Sequence, residues 1–304
     1  MPSPVPPSAA PPRLFDRERV ARNRSRAAAT FGKYDFLKAR VSSDIADRLA
    51  DTAHAFERAF DLGAHDGQLA RLIQASGKVG SVEAGDISSA MVELSQASGL
   101  QAQQLDEEHL PFAPASLDLI VSALSLHWVN DLPGTLVQIR QALKPDGLFL
   151  GALLGAGTLS ELRASLMEAE TELTGGVAAR ISPLPGLRDM ASLMQRAGFA
   201  LPVVDRDPVV VRYASPLGLL DDLKGMGERA AFSAGMARPL PRRVLMRALD
   251  IYKDAHSDPD GRVRATFEVV HLSGWSPSDS QPKPLKPGSA RVSLADAIRN
   301  HGSS

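Results

Sequence analysis

The stretch AFDLGAHDGQLARLI, residues 59–73, decides the fold of this chain. An apolar run ends at Asp61, glycines follow at Gly63 and Gly67, and a helical pattern then begins. This order predicts a buried strand, a tight turn and a helix whose first backbone amides face any anionic group held in the turn. The residue between the two glycines, where a third glycine is expected in a cofactor loop, is His65.

Short apolar runs and helical patterns alternate on both sides of this stretch. SSDIADRLADTA is predicted as a helix capped by Ser42 or Ser43. Four runs are predicted as strands: KVGSVEAGD, LQAQQLD, SLDLIVSA and GLFLGALL. The helices predicted between them are SSAMVELSQAS and LPGTLVQIRQAL. Strands separated by helices of ten to fifteen residues predict a parallel sheet covered on both faces. The fold class is therefore α/β, with a doubly wound sheet.

The second half continues the pattern with one interruption. Thr158 and Glu161 form a capping-box pattern at the start of TLSELRASLMEAETEL. A helix ends near Gly198, and strands are predicted at 208–214 and 264–275. Residues 215–262 between those strands are mostly helical and predict an insertion over the edge of the sheet. A proline-rich loop then leads to a short terminal strand and helix.

The N-terminal region differs in composition from the rest. Six prolines among the first twelve residues predict a disordered lead-in over 1–13, followed by an arm at 14–42 and the main domain at 43–304. Residues 13–26 carry six arginines. They suit a basic arm or a targeting peptide, but Asp16 and Glu18 interrupt the charge and favour a solvated helix face.

Composition excludes several classes of function. The formal net charge is −1 and cysteine is absent, so there is no global attraction to nucleic acid, no disulfide and no thiolate metal site. No apolar run approaches the ~20 residues of a membrane span. Phosphate-loop and serine-hydrolase motifs are missing. His256 and Asp258 with His271 or His301 make a weak two-histidine, one-carboxylate set, but they surround a polar turn, and no metal is predicted.

The turn itself indicates a nucleotide-like cofactor. Ligands of such sheets bind at the carboxyl ends of the strands, and an acidic residue about 20 positions beyond the turn holds a ribose diol. Asp86 ends the next strand, with Glu83 as the fallback. The glycine spacing does not match the G-x-G-x-x-G of nicotinamide or flavin sites. Asp61 suits the cationic α-amino group of S-adenosylmethionine.

Longer motifs carry a family resemblance. Three segments resemble class I methyltransferases: DLGAHDG, DEEHLPF (106–112) and SALSLHWVNDLPGTLVQIRQALKPDGLFLGALLG (122–155). GTLSELRASL (157–166), DDLKGMGE (221–228) and the final SARVSL look most like the assembly factor five family of NADH:ubiquinone oxidoreductase, respiratory complex I. The malonyl-acyl-carrier-protein methyl-ester synthase of biotin synthesis is similar as well. The resemblance implies a Rossmann-like, seven-stranded, mostly parallel sheet with its last strand antiparallel.

The resemblance also implies roles for particular residues. Asp61, Gly63, His65 and Gly67 would surround the methionine part of S-adenosylmethionine, with His65 a departure from the family's glycine. The remaining cofactor residues would be Asp86 at the ribose, Ile87 beside the adenine, Asp106 and Glu107 near its amino group, and Ser122 in the strand that floors the pocket. The candidates for the catalytic rim are His127, Trp128, Tyr34 and Tyr213.

Three functions follow from these patterns. The first is an S-adenosylmethionine-dependent enzyme of methyltransferase fold that methylates or hydroxylates a protein partner, a complex I subunit. The second methylates malonyl groups on acyl carrier protein. The third is a non-catalytic assembly scaffold that keeps the cofactor fold. No nucleic-acid partner is expected, and the composition favours a bacterial cytoplasm over the mitochondrial matrix.

Overall fold

The computed structural model describes residues 13–281 and contains one seven-stranded sheet with strand order β3-β2-β1-β4-β5-β7-β6. The strands are β1 Phe56–Leu62, β2 Val79–Asp86, β3 Gln101–Gln104, β4 Leu117–Ala123, β5 Leu143–Leu154, β6 Ala200–Tyr213 and β7 Val263–Trp275. The first five strands pair in parallel, and β7 runs antiparallel to both β5 and β6. The predicted doubly wound, mostly parallel sheet is confirmed.

Nine α-helices surround the sheet within the described residues. They are α1 Arg17–Ala28, α2 Phe36–Ala50, α3 Gln68–Ala75, α4 Ser89–Ala97, α5 Leu132–Ala142, α6 Ser160–Thr174, α7 Leu187–Arg196, α8 Pro216–Gly225 and α9 Arg242–His256, with single 3-10 turns at Phe31–Lys33 and Leu126–Trp128. No helix of this part of the chain has the length and apolar character of a membrane span.

Central strands are apolar on both faces because helices cover both sides. Neighbouring residues of one strand enter opposite cores: Ala59 packs in the cluster that holds Ile45 of α2, and Phe60 in the cluster that holds Leu136 of α5. This alternation is what a strand buried on both faces requires. It leaves the carboxyl ends of β1, β2 and β4 at one edge, where loops rather than core side chains gather.

Two local predictions were wrong. The second helix begins at Phe36 rather than near Ser43, since the buried face of α2 starts at Leu37. The capping box at Thr158 does not form: Thr158 Oγ1 donates to the Glu268 carbonyl, and Glu161 accepts from Thr266. Strand β7 therefore binds both residues that the local pattern assigned to the helix start.

The strand predicted at 208–214 is the second half of β6, which begins at Ala200. The helical segment between β6 and β7 is present as α8 and α9. The predicted lead-in up to residue 12 and the terminal strand and helix lie outside the described residues.

Candidate active site

The glycine turn after β1 has the backbone of a close-approach loop. Gly63 and Gly67 have φ of 70° and 78°, in the left-handed region that glycine adopts without strain. His65 between them has a φ of 55°. Its backbone N–H donates to Asp86 Oδ2 at 3.0 Å, so the turn is tied to the end of β2.

The side chain of His65 belongs to the floor of a buried crevice. It is 2% exposed, its ring stacks on Phe31 with centroids 5.4 Å apart, and its Nδ1 lies 2.9 Å from the Gly63 carbonyl and 3.1 Å from Lys38 Nζ. Burial, Lys38 and Arg24 hold the pKa of His65 well below its usual value, so the ring is neutral. A non-glycine residue in this region costs on the order of 1 kcal/mol. These contacts offset that strain.

The two carboxylate oxygens of Asp61 differ, since one accepts a hydrogen bond and the other has no donor. Oδ2 accepts the Ala70 N–H at 3.1 Å, whereas Oδ1 is buried and has no hydrogen-bond partner among residues 13–281. Desolvation raises the pKa of Asp61 to about 6, although Lys38 opposes this shift. A buried carboxylate oxygen without a donor fits the cationic amino group of a ligand, as predicted for S-adenosylmethionine.

Lys38 of α2 is a crevice residue that the sequence did not reveal. Its ammonium group is buried and donates to the Gly63 carbonyl at 3.1 Å and to the Ala123 carbonyl at 2.6 Å. Burial lowers the pKa of Lys38. The lysine thus links the turns that follow β1 and β4, the two central strands at this edge.

Two arginines of α1 fill the space beside the predicted ribose and adenine residues. Arg24 is 1% exposed; its Nη1 donates to Asp86 at 2.9 Å and to Glu107 at 3.2 Å, and its Nη2 donates to Ser125 Oγ at 2.9 Å. Arg17 binds Glu107 and, at 2.8 Å, Asp106. The expectation that these arginines form a solvated helix face was wrong for both, because their carboxylate partners lie beneath the helix.

The charges in this cluster stabilise one another. Burial alone would lower the pKa of Arg24, but Asp86 and Glu107 raise it. Burial alone would raise the pKa of Glu107, but Arg17 and Arg24 lower it to about 2. Arg17, Arg24 and Glu107 are therefore ionised at neutral pH.

The crevice has the side chains that the cofactor requires but little open space. The free cavity beside His65 and Tyr34 is about 30 Å³, whereas pockets for ligands of cofactor size measure roughly 300–1,000 Å³. Asp61, Gly63 and Asp86 fit the methionine and ribose parts of S-adenosylmethionine by type and by position. The guanidinium groups of Arg17 and Arg24 would have to move to admit it.

Two other predicted cofactor residues have different partners in this structure. Ile87 packs with Val20 of α1 and with Trp128, where an adenine ring was expected. Ser122 is fully buried, and its Oγ donates to the Leu62 carbonyl at 2.7 Å, so it joins β4 to β1.

The predicted catalytic residues surround a shared carboxylate. His127 Nε2 lies 3.0 Å from Glu228 Oε2, and Trp128 Nε1 donates to the same oxygen at 2.7 Å. Burial would raise the pKa of Glu228, but His127 and Arg24 lower it, so the carboxylate is ionised. Glu228 follows α8, in the insertion between β6 and β7, and sequence reasoning missed it although it lies in the quoted DDLKGMGE.

A large cavity of about 690 Å³ opens beside this triad. Apolar side chains form its interior, including Leu154, Leu162, Leu166 and Phe267. Leu154, Phe267 and Glu228 line both this cavity and the small space beside His65. The two spaces are therefore neighbours, as an acceptor site and a cofactor crevice must be for direct transfer.

The two tyrosines predicted at the catalytic rim lie apart from each other. Tyr34 lines the crevice and packs over Gly225 of α8, whereas Tyr213 ends β6 and contacts Gly218. Tyr213 was expected at the rim and is wrong for that role, because the edge strand carries it under α8.

The one possible metal-ligand group within residues 13–281 is Asp44, Asp207 and His271, which shares His271 with the weak set but contains neither His256 nor Asp258. Arg40 donates to Asp207 at 2.8 Å, so one carboxylate of this group already has a cationic partner. Asp258 of the weak set pairs with Arg212 instead.

Comparison with known families identifies this architecture. A family model described as a methyltransferase domain matches residues 21–202, more than half of the chain. The chain belongs to the methyltransferase domain family. The match supports the prediction of S-adenosylmethionine as cofactor and confirms the class I methyltransferase resemblance.

Curated relatives confirm the finer resemblance. The arginine-hydroxylase NDUFAF5 of Danio rerio is 43% identical, over 93% of this chain and 89% of the relative. The human protein of that name is 39% identical, over 93% and 83%. The malonyl-[acyl-carrier protein] O-methyltransferase of Laribacter hongkongensis is 32% identical, over 90% and 94%. The prediction that the chain is most like the complex I assembly factor is confirmed, with the biotin-pathway enzyme a more distant relative.

A solved structure shows the same fold. The YcgJ protein of Bacillus subtilis aligns with a TM-score of 0.55 at 18% identity, over 78% of this chain and 99% of that one.

Proposed function

We propose that this chain is an S-adenosylmethionine-binding enzyme that modifies a side chain of a protein partner during assembly of respiratory complex I. The observation that carries the proposal is the wall of Leu154, Glu228 and Phe267, which the cofactor crevice shares with the 690 Å³ cavity. The relatives named arginine-hydroxylase NDUFAF5 favour an arginine as the acceptor. The same names include the word mitochondrial and support action in the mitochondrial matrix.

The chain's own residues supply binding and orientation. Asp61 would hold the amino group of the cofactor through its free oxygen, and Asp86 the ribose hydroxyls once Arg24 leaves. When bound, the cofactor supplies a methyl group on a sulfonium centre. Glu228, held by His127 and Trp128, offers a fixed negative charge to a cationic acceptor. The apolar walls exclude water from the space where the two ligands meet.

Calorimetric titration with S-adenosylmethionine and S-adenosylhomocysteine tests the cofactor site. We expect micromolar binding, and a loss of at least about tenfold, or ~1.4 kcal/mol, in Asp61→Ala and Asp86→Ala. Asp66→Ala is the matched control, because this carboxylate lies in the same loop but pairs with Arg71. Unchanged affinity in both site variants would refute the assigned crevice.

The chemistry at the acceptor is tested separately. A purified complex I subunit incubated with the enzyme and S-adenosylmethionine should gain the mass of a methyl group, located by tandem mass spectrometry. Hydroxylation would instead add the mass of one oxygen atom, and this arm of the experiment supplies molecular oxygen as the oxidant together with a two-electron reductant. Glu228→Gln should lower the rate of either modification at least about tenfold. An unmodified partner together with no cofactor binding at concentrations on the order of millimolar would favour the scaffold function.

A second function is favoured by one observation. Arg19, Lys224 and Arg229 line the mouth of the cavity, and acyl carrier proteins are strongly acidic. Methylation of malonyl-acyl carrier protein by the purified chain would support this alternative over modification of a complex I subunit.

A further inference from the structure

A cluster of unpaired cations lies at the mouth of the cavity. Arg19 and Arg26 project from α1, Lys224 lies on α8, and Arg229 follows it; we call these four residues the basic mouth. Arg26, Lys224 and Arg229 are exposed, and Arg19 is partly exposed. Within residues 13–281 none of the four side chains forms an ion pair, although the chain as a whole has a net charge of −1.

The basic mouth is one continuous surface. One depression of about 270 Å³ contains Arg26, Lys224 and Arg229, and a second of the same volume contains Arg19, Arg26 and Arg229. Arg19, Lys224 and Arg229 also line the 690 Å³ cavity. Asp221 is an acidic residue on this surface. In the two depressions these four cations face one acidic side chain, Asp221, which gives a positive local potential that attracts an acidic partner.

The cavity behind the basic mouth has the opposite character. Leucines and Phe267 form its interior, and Leu240, which is 37% exposed, lies at its outer edge. Such a space favours a bulky apolar side chain, because removal of its apolar surface from water is favourable. Interface anchors of this kind carry most of the binding energy, whereas surrounding charges set orientation and association rate.

We propose that the basic mouth docks an acidic segment of a protein partner, and that a large apolar side chain of this segment enters the cavity. The inference rests on the proposed function, since it assumes that the acceptor belongs to a protein. The charge of the four cations selects the partner, and the apolar anchor holds its neighbouring acceptor side chain beside Glu228.

Fluorescence anisotropy with labelled synthetic peptides tests the proposal on the full chain. The main probe is a glutamate-rich peptide with central leucine and phenylalanine; the comparison peptides replace those two by alanine, or every glutamate by lysine. We expect the main probe to bind at least about tenfold tighter than either, which is ~1.4 kcal/mol, and to weaken steeply with salt.

Variants locate the interaction. The double variant Arg26→Glu/Arg229→Glu should weaken binding at least about tenfold. The matched control Arg188→Glu/Arg196→Glu, two exposed arginines of α7, should change it less than about twofold. Leu240→Glu should reduce the difference in affinity between the main probe and the peptide in which alanine replaces leucine and phenylalanine. Val210→Glu, at an exposed valine of β6, should leave that difference unchanged.

Three results would overturn the proposal. They are equal binding of the acidic and basic peptides, no measurable binding of any peptide, and tighter binding of an oligouridylate, which would indicate a nucleic-acid surface. Titration of the same variants with S-adenosylmethionine separates the two claims. Retained cofactor binding without peptide binding overturns only the docking surface, whereas peptide binding without cofactor binding overturns only the proposed enzyme.

Discussion

Replacing Arg24 by alanine should tighten the binding of S-adenosylmethionine while it destabilises the fold. In the wild-type protein the guanidinium lies between Asp86, Glu107 and Ser125, where the ribose and adenine of the cofactor were predicted. The cofactor must displace these hydrogen bonds before it can form its own. Alanine removes that cost and opens the space that the guanidinium fills.

The magnitudes follow from the contacts. Removing one partner of a buried ion pair costs about 3–5 kcal/mol of stability. The lower end applies here, because Glu107 keeps Arg17, and Asp86 keeps the backbone N–H groups of His65 and Ser88. The affinity for S-adenosylmethionine should rise at least about tenfold, or ~1.4 kcal/mol. The gain should be smaller for S-adenosylhomocysteine, which lacks the sulfonium charge that the exposed carboxylates attract.

Calorimetric titration and urea denaturation measure the two effects on one preparation. Hydrogen exchange of residues 17–28 should also be faster in Arg24→Ala, since α1 loses its innermost anchor. Arg22→Ala is the control, because that arginine lies on the exposed side of α1 and, in the described part of the chain, pairs with Asp16 and Glu18 alone. It should change stability by less than about 1 kcal/mol. A weaker affinity in Arg24→Ala, with Arg22→Ala unchanged, would refute the reasoning and make Arg24 a cofactor ligand.

Three further predictions concern single positions. In urea denaturation, Asp61→Asn should stabilise the protein by about 1–3 kcal/mol at pH 8 and by little near pH 4. The pKa of Asp61 is about 6 in the folded state against an ordinary value of 3.8, so its buried charge lowers the stability of the wild type as pH rises through that window. Equal effects at both pH values would contradict this. His65→Gly should keep the fold and change cofactor affinity by less than about tenfold, because relief of the strained positive φ offsets the lost contacts with Phe31 and Lys38. A large gain in the affinity measured by calorimetry would show that the histidine obstructs the cofactor. Glu228→Gln should lower the rate of partner modification at least about tenfold with unchanged cofactor affinity. A matching loss of both would show that this carboxylate contributes to cofactor binding rather than to the acceptor.

The sequence alone predicted the elements that depend on local patterns. The alternation of apolar strands and helices, the glycine turn after β1 and the acidic residue at the end of β2 are all present at the predicted positions. Each depends on residues a few positions apart, so periodicity and turn chemistry were sufficient to find it. The family motifs extended this to the number of strands and to the antiparallel β7.

The sequence did not predict how the N-terminal arm meets the site. Arg17 and Arg24 are seven residues apart, a spacing that places both on one face of a helix, and this was the available signal. Their burial could not be inferred from it, because Asp86 lies 62 residues beyond Arg24 and Glu107 lies 83 beyond it. Lys38 and Glu228 were missed for the same reason.

The positive φ of His65 and the missing cap at Thr158 were also decided by tertiary contacts. His65 keeps its strained backbone because Asp86 accepts its N–H and Lys38 contacts its ring. Thr158 gives up its cap because the backbone of Glu268 in β7 accepts its hydroxyl. Local sequence determined the strands, helices and turns of this protein. The tertiary structure decided that Arg17 and Arg24 fill the crevice, because buried charges that lose their water must pair with opposite charges from distant parts of the chain.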